Sequence, residues 1–237
     1  MPAALALYRQ WFRIRMRGLD QVPGAGAALI VANHSGVLPV DAIMLQAGLF
    51  ADHPAHRNLR LLGADLIYEL PGLGPLARRS GHARADPACA AALLAAGELV
   101  GVFPEGYKGT GKPFSERYQL QRFGRGGFAR TAISAGVPIV PCAIVGAEEI
   151  YPMIGNARGA ARLLGLPYFP VTPLFPWLGP LGAVPLPSRW IIEFGDPVPT
   201  AGLPAGRDAA DQLAARVRDT IQAAVDRLVA ERGPAFG

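Results

Sequence analysis

The stretch AALIVANHSGVLPVDAIMLQAGL, residues 27–49, decides the fold. It opens as an apolar run, AALIVAN, which reads as a buried strand. It closes as a helix from Pro39 to about Leu49, with Pro39 at the first helical position, where its missing N–H costs nothing. Between them a histidine, a glycine and a proline mark a loop. Strand, loop and helix in this order form one unit of an α/β sheet protein, and ligands in such sheets bind beyond the carboxyl ends of the strands. His34 stands at that end. Asp41 falls in the first helical turn, where the dipole favours a negative charge.

The pattern repeats along the chain. Leu5 to Trp11 reads as a short amphipathic helix. Trp11 to Arg17 alternates Phe12, Ile14 and Met16 with Arg13, Arg15 and Arg17, the signature of a strand with one apolar and one cationic face. Further strands are expected at residues 59–63, 99–103, 137–146 and 190–194, the third near a sheet edge because of its prolines. Helices are expected at residues 87–97, 125–135 and 207–232. The last presents Leu213, Val217, Ile221, Val225 and Leu228 on one packing face. The fold class is therefore α/β, with a mixed central sheet flanked by helices. No repeat or linker divides the 237 residues, which reads as one domain with a motif-bearing core over 12–196 and a C-terminal packing helix.

Composition narrows the setting. Half the residues are hydrophobic (51%), only 17% are charged, and the net charge is +5. Anionic partners are favoured: phosphates, acidic lipid or nucleic acid. Cys89 and Cys142 lie in apolar surroundings without neighbouring ligands, as buried thiols of a reducing compartment do. The N-terminus shows no secretory signal, since LALYRQWF is quickly interrupted by arginine. An uncharged run between Arg162 and Arg189 is long enough to span a bilayer. Its prolines at 167, 170, 173, 176, 180, 185 and 187 forbid a continuous helix. It reads as an extended apolar loop or hairpin that lies on a membrane or roofs an apolar channel.

Two constellations carry chemistry. In the first, His34 and Asp41 would lie about 10 Å apart on one straight helix. Gly36 and Pro39 break that path, so a loop can return the carboxylate to the imidazole and leave the far ring nitrogen as a base. The bland alternatives are a helix-capping aspartate and a loop-closing histidine. The second is FPEGYKGTGKPF, residues 103–114, directly after a strand. Its glycines at 106, 109 and 111 free backbone N–H groups to approach an anion. Lys108 and Lys112 are the only lysines in a chain with 21 arginines, and both fall in this loop. A flexible ammonium suits a phosphate. The segment is neither a P-loop nor a dinucleotide fingerprint. The Arg and aromatic residues that follow are too few to indicate nucleic-acid recognition. His53 and His56 read as a polar surface turn and not as metal ligands, and His82 has no assigned role.

Together, NHSGVLPVD, VFPEGYKG and VPIVPCAIVG, in this order, resemble the glycerolipid acyltransferase superfamily, which includes lysophosphatidic acid and lysophospholipid acyltransferases. The monoacylglycerol acyltransferase-like branch is the nearest match. The resemblance covers about residues 12–196. It implies a glycerol-3-phosphate acyltransferase-like α/β fold at the cytoplasmic face of a membrane, peripheral or monotopic. It implies transfer of an acyl group from acyl-CoA or acyl carrier protein to the hydroxyl of a lysophospholipid or lysophosphatidic acid, with a neutral monoacylglycerol as the rival acceptor. A non-catalytic lipid-binding module on the same scaffold is the rival of another class. No cofactor beyond the donor co-substrate is implied, and nucleic acid is not among the partners. By the same resemblance His34 is the base and Asp41 its partner, Glu105 and Gly106 belong to the acceptor site, and Lys108 takes the phosphate. Six residues separate His34 from Asp41, where the family usually has four. The family's second motif, a glycine leading to an arginine, is blurred in GLGPLARRSGHARAD. Arg78, Arg79 and Arg84 all compete for it, and Arg84 is the candidate taken for acceptor binding.

Overall fold

Every residue of strand β2 (Ala28–Ala32) is buried, because the strand lies mid-sheet with helices over both faces. The computed structural model describes residues 2–69 and 73–236. Seven strands form one sheet in the order β1 (Arg15–Arg17), β9 (Ile191–Phe194), β6 (Ile139–Val145), β2, β5 (Leu99–Val102), β3 (Leu59–Gly63) and β4 (Ala83–Arg84). Strands β6, β2, β5, β3 and β4 run parallel, and β9 pairs antiparallel with β6 and parallel with β1, so the sheet is mixed.

Successive side chains of a strand point to opposite faces. Ala28, Ile30 and Ala32 of β2, with Val140, Cys142 and Ile144 of β6, enter one core. That core is closed by the N-terminal helix α1 (Pro2–Ala6), its π-helical continuation Leu7–Trp11, and α2 (Val40–Asp52). Leu29, Val31, Ile139, Ala143 and Val145 enter the opposite core, under α5 (Pro87–Ala95), α7 (Gly127–Ala135) and α9 (Arg207–Arg232). Helix α9 buries Leu213, Val217, Ile221, Val225 and Leu228, the face read from its periodicity. Asp86 caps α5 by accepting the Cys89 N–H, with Pro87 next in line.

Several expectations need correction. The alternation over residues 11–17 produces only the three-residue β1. Phe12 ends the preceding helix and Arg13 has φ +48°, so the chain turns where a strand was expected. Strand β6 is central and not near an edge. It tolerates Pro141 because β9 ends at Phe194, and the donorless proline falls between that end and the bridge from Ile139 to Val198. Pro39 is the residue before the helix and not its first residue. Cys89 is only partly buried, while Cys142 is fully so, and both are free thiols. Strand β4 and the short helices α3 (Asp65–Glu69) and α4 (Leu73–Arg79) have no counterpart in the sequence reading.

The proline-rich run over 163–188 follows α8 (Arg158–Leu163). It contributes β8 (Pro170–Val171), which pairs with β7 (Gly155–Asn156), and a 3₁₀ turn at Gly179–Ala183. Leu163, Trp177 and Leu181 are 87%, 71% and 70% exposed. Among the described residues no helix is long and apolar enough to cross a membrane.

Candidate active site

The register of two parallel strands builds the site. Val31 of β2 pairs with Val102 of β5. His34 and Glu105, each three residues further on, therefore leave neighbouring strands at the same level. Strand β6 runs in the same direction beside β2 and delivers Glu148 to this end of the sheet. Asn33, fully buried, fixes the junction: its side-chain amide donates to the Ile144 carbonyl (2.9 Å) and its oxygen accepts the Ile144 N–H (2.7 Å). A polar residue closing an apolar strand was the available signal for this clamp.

The loop from Ser35 to Pro39 folds Asp41 back onto His34. His34 Nδ1 lies 2.7 Å from Asp41 Oδ2, and the Asp41 side chain is entirely buried. The same oxygen accepts the Ser35 N–H at 2.8 Å, and Oδ1 accepts the Ala42 N–H at 2.8 Å. An ionised carboxylate only accepts, so Nδ1 carries the hydrogen and Nε2 holds the lone pair. Phe103 packs against the imidazole with ring centroids 4.6 Å apart. The His34 side chain keeps 14% of its surface, against none for its partner.

The turn after Phe103 has a different job from the one its glycines suggested. Glu105 is buried. Its Oε1 accepts the His34 N–H (2.8 Å) and its Oε2 the Gln121 N–H (2.6 Å). It braces the backbone of the candidate base and does not face solvent. Burial raises the Glu105 carboxyl above its ordinary range, with Lys112 and the two backbone donors opposing. A Cβ on Gly109 would lie 2.8 Å from Glu105 Cβ and the His34 carbonyl oxygen and 2.9 Å from His34 Cβ, so this glycine permits close packing. Gly106, with φ +55° and ψ −141°, sits where other residues are strained. The N–H groups of Gly106, Lys108, Gly109, Thr110 and Gly111 all donate within the turn. These five N–H groups are taken up by the turn itself, which corrects the expectation that its glycines free them to approach an anion.

The two lysines part ways. Lys112 is buried, with Nζ 2.9 Å from Glu148 Oε1, 3.0 Å from the Gln119 carbonyl and 3.9 Å from Glu105 Oε2. These partners take up its ammonium, while its side chain also borders the groove that Lys108 lines. Lys108 is exposed on helix α6 (Tyr107–Thr110). It lines an open groove of about 350 Å³ with Tyr107, Gln121, Asn156 and Tyr168. Tyr168 belongs to the proline-rich run, and its hydroxyl donates to the Val37 carbonyl (2.6 Å) in the loop between His34 and Asp41. The groove thus borders the loop between His34 and Asp41.

Arg84 lies on the edge strand β4, exposed, with Nε 3.6 Å from Asp65 Oδ1. Arg78 lies over the Tyr68 ring. Gly72, the first glycine of GLGPLARRSGHARAD, is outside the described residues. His53 is buried, not a surface residue: Nε2 donates to the Val22 carbonyl and Nδ1 accepts the Ala55 N–H. Both nitrogens close the loop after α2.

The comparisons with known proteins give the chain a family and a fold. A family model described as acyltransferase matches residues 13–145, more than half of the chain. An uncharacterized protein of Mycobacterium tuberculosis is 53% identical over 240 residues, covering 99% of this chain and 67% of that protein. An uncharacterized Mycobacterium leprae protein is 53% identical with 65% of its length covered, so the chain spans about two thirds of these relatives. A cattle protein named "DGAT1/2-independent enzyme synthesizing storage lipids" is 26% identical over 92% of this chain and 60% of its own length. The structure of the 1-acyl-sn-glycerophosphate (LPA) acyltransferase PlsC from Thermotoga maritima superposes with a TM-score of 0.64 at 17% identity, over 95% of this chain and 76% of that one. That likeness shows the same fold, and the family match reaches from the first strand through β6, including both constellations. The chain belongs to the acyltransferase family.

Proposed function

We propose that this protein moves a fatty acyl group from an acyl thioester, acyl-CoA or acyl carrier protein, to the hydroxyl of a lysophospholipid or lysophosphatidic acid. The observation that carries this reading is the His34–Asp41 contact of 2.7 Å, with the aspartate buried beneath a partly exposed imidazole. His34 Nε2 takes the proton of the acceptor hydroxyl as its oxygen attacks the thioester carbonyl. The C–S bond then breaks, and the thiolate leaves with a proton. A positioned base of this kind contributes about 10²–10⁴-fold. A non-catalytic lipid module has no use for such a pair. The reaction takes place at a membrane surface, on its cytoplasmic face, where the exposed apolar residues of the run over 163–188 meet lipid.

Exposed Lys108 in the groove favours a phosphate-bearing acceptor. The name of the 26%-identical cattle relative favours a second reading, a neutral monoacylglycerol-type acceptor. Thiol release from acyl-CoA, measured with lysophosphatidic acid or monoacylglycerol present, tests both readings. His34→Ala is expected to abolish release with either acceptor while vesicle binding persists; full activity would end the base assignment. Lys108→Ala is expected to impair the phosphate-bearing acceptor alone, and equal loss with both would remove the phosphate role. Release without any acceptor would mark a thioesterase instead.

A further inference from the structure

Beneath the turn that carries Glu105 lies a set of charges that the transfer chemistry does not use. The side chains of Lys112, Glu148, Glu149 and Arg232 keep only 4%, 5%, 4% and 5% of their surface. Buried ion pairs are weak contributors to stability, and apolar residues of like volume often replace them without loss. Their retention beside the site calls for another reason, and the geometry supplies one. Both oxygens of Glu105 accept backbone N–H groups, one of them from His34. Both bonds are strongest while the carboxyl is ionised, because a protonated carboxyl accepts more weakly and brings a hydrogen of its own to one of those oxygens. Lys112 Nζ is the cation next to it, 3.9 Å from Oε2. Its other charged neighbour is Glu148, at 2.9 Å.

We propose that Lys112 is a positioning residue for His34: its ammonium keeps Glu105 ionised, Glu105 holds the His34 backbone, and Glu148 sets how much of the Lys112 charge reaches Glu105. The proposal rests on His34 acting as the base. The groups facing Glu105 are Lys112, Glu148, His34 and the Gln121 N–H. Glu148 in turn faces Lys112 and the backbone of Tyr118, and Asp41 faces His34 from the far side. Burial pushes the Glu105 carboxyl up and Lys112 pulls it down. Burial also pushes the Glu148 carboxyl up, and Lys112 opposes that as well.

The test is the pH dependence of kcat for thiol release from acyl-CoA with lysophosphatidic acid. Lys112→Met is expected to move the acid limb upward by about one pH unit or more, with KM for acyl-CoA little changed. Glu148→Gln, which keeps the lysine and frees its charge, is expected to move the limb downward; it carries the test if Lys112→Met does not fold. Glu105→Gln is expected to lower kcat at every pH, because one amide nitrogen then opposes a backbone N–H. In the Glu105→Gln background Lys112→Met is expected to shift nothing further. An unshifted limb in Lys112→Met, an upward shift in Glu148→Gln, or a shift that persists in the Glu105→Gln background overturns the proposal. His34→Ala separates the two readings. If that variant is inactive and the limbs do not move, only the role of Lys112 fails; if it stays active, the base assignment itself fails.

Discussion

At the scale of single residues, the site depends on acceptors that cannot be exchanged for donors. Asp41 receives three N–H groups: the His34 ring, the Ser35 backbone and the Ala42 backbone. Asparagine keeps the shape but turns one oxygen into an NH₂ group, which either opposes a backbone donor or forces the other imidazole tautomer. Asp41→Asn is therefore expected to lower kcat by about 10²–10⁴-fold, with KM for acyl-CoA within about threefold. Steady-state thiol release measures both. Gly109 is the steric counterpart. An added methyl would press on Glu105 Cβ and on both Cβ and the carbonyl of His34. Gly109→Ala is expected to destabilise the fold by about 1–3 kcal/mol and to depress kcat beyond what the loss of folded protein explains. Thermal unfolding and kinetics on the same preparation separate the two effects.

At the scale of elements, helix α9 is held at both levels of its chemistry. Its apolar stripe packs on the sheet, and its last residue, Arg232, forms a buried bidentate pair with Glu149, just after β6. Arg232→Met would leave that carboxylate buried and unpaired, which costs about 3–5 kcal/mol. Arg207, at the other end of α9, pairs with Asp211 at 3.9 Å while 73% exposed, and Arg207→Met is expected to change stability by less than about 0.5 kcal/mol. Urea unfolding of the two variants gives the comparison. The same helix shows what the chain reveals on reading. Twenty-six residues of sustained 3.6-residue period place α9 correctly from sequence. Three alternating Arg–apolar pairs at residues 11–17 make only the three-residue β1, because the left-handed Arg13 is invisible in the pattern. The prolines of β6 looked like an edge because sequence alone does not show where the neighbouring strand stops. His34 and Asp41 were legible from loop-breaking residues between them. The brace from Glu105 was not, since it depends on the register of β2 with β5. Nor was the division between Lys108, exposed, and Lys112, buried in ion pairs four residues on.

At the scale of the whole molecule, charge and apolar exposure coincide. Between Glu149 and Glu193 the chain has no acidic residue, and Arg158, Arg162 and Arg189 are its only charges there. The exposed Leu163, Trp177 and Leu181 belong to this stretch, and Trp11 Nε1–H donates to the Pro185 carbonyl, so the N-terminal segment with Arg9, Arg13 and Arg15 adjoins it. The membrane contact proposed above is assigned to this stretch. Replacing Trp177 and Leu181 together by glutamate is expected to weaken sedimentation with vesicles containing phosphatidylglycerol by about tenfold or more. The melting temperature should not change, and the turnover of a short-chain, water-soluble acceptor should stay within about twofold of the parent's. Unchanged sedimentation would move the docking face elsewhere.

The contact from Glu105 to the His34 N–H joins residues 71 apart in sequence. A nascent chain leaving the ribosome thus carries the imidazole and its aspartate long before it carries the support beneath them. Any premature or nicked product ending before β5 would hold the His34–Asp41 pair on an unsupported loop and turn over nothing. Enzymatic competence should then arise late, together with the parallel pairing of β2 and β5, and a refolding chain regains turnover only when that distant closure is complete.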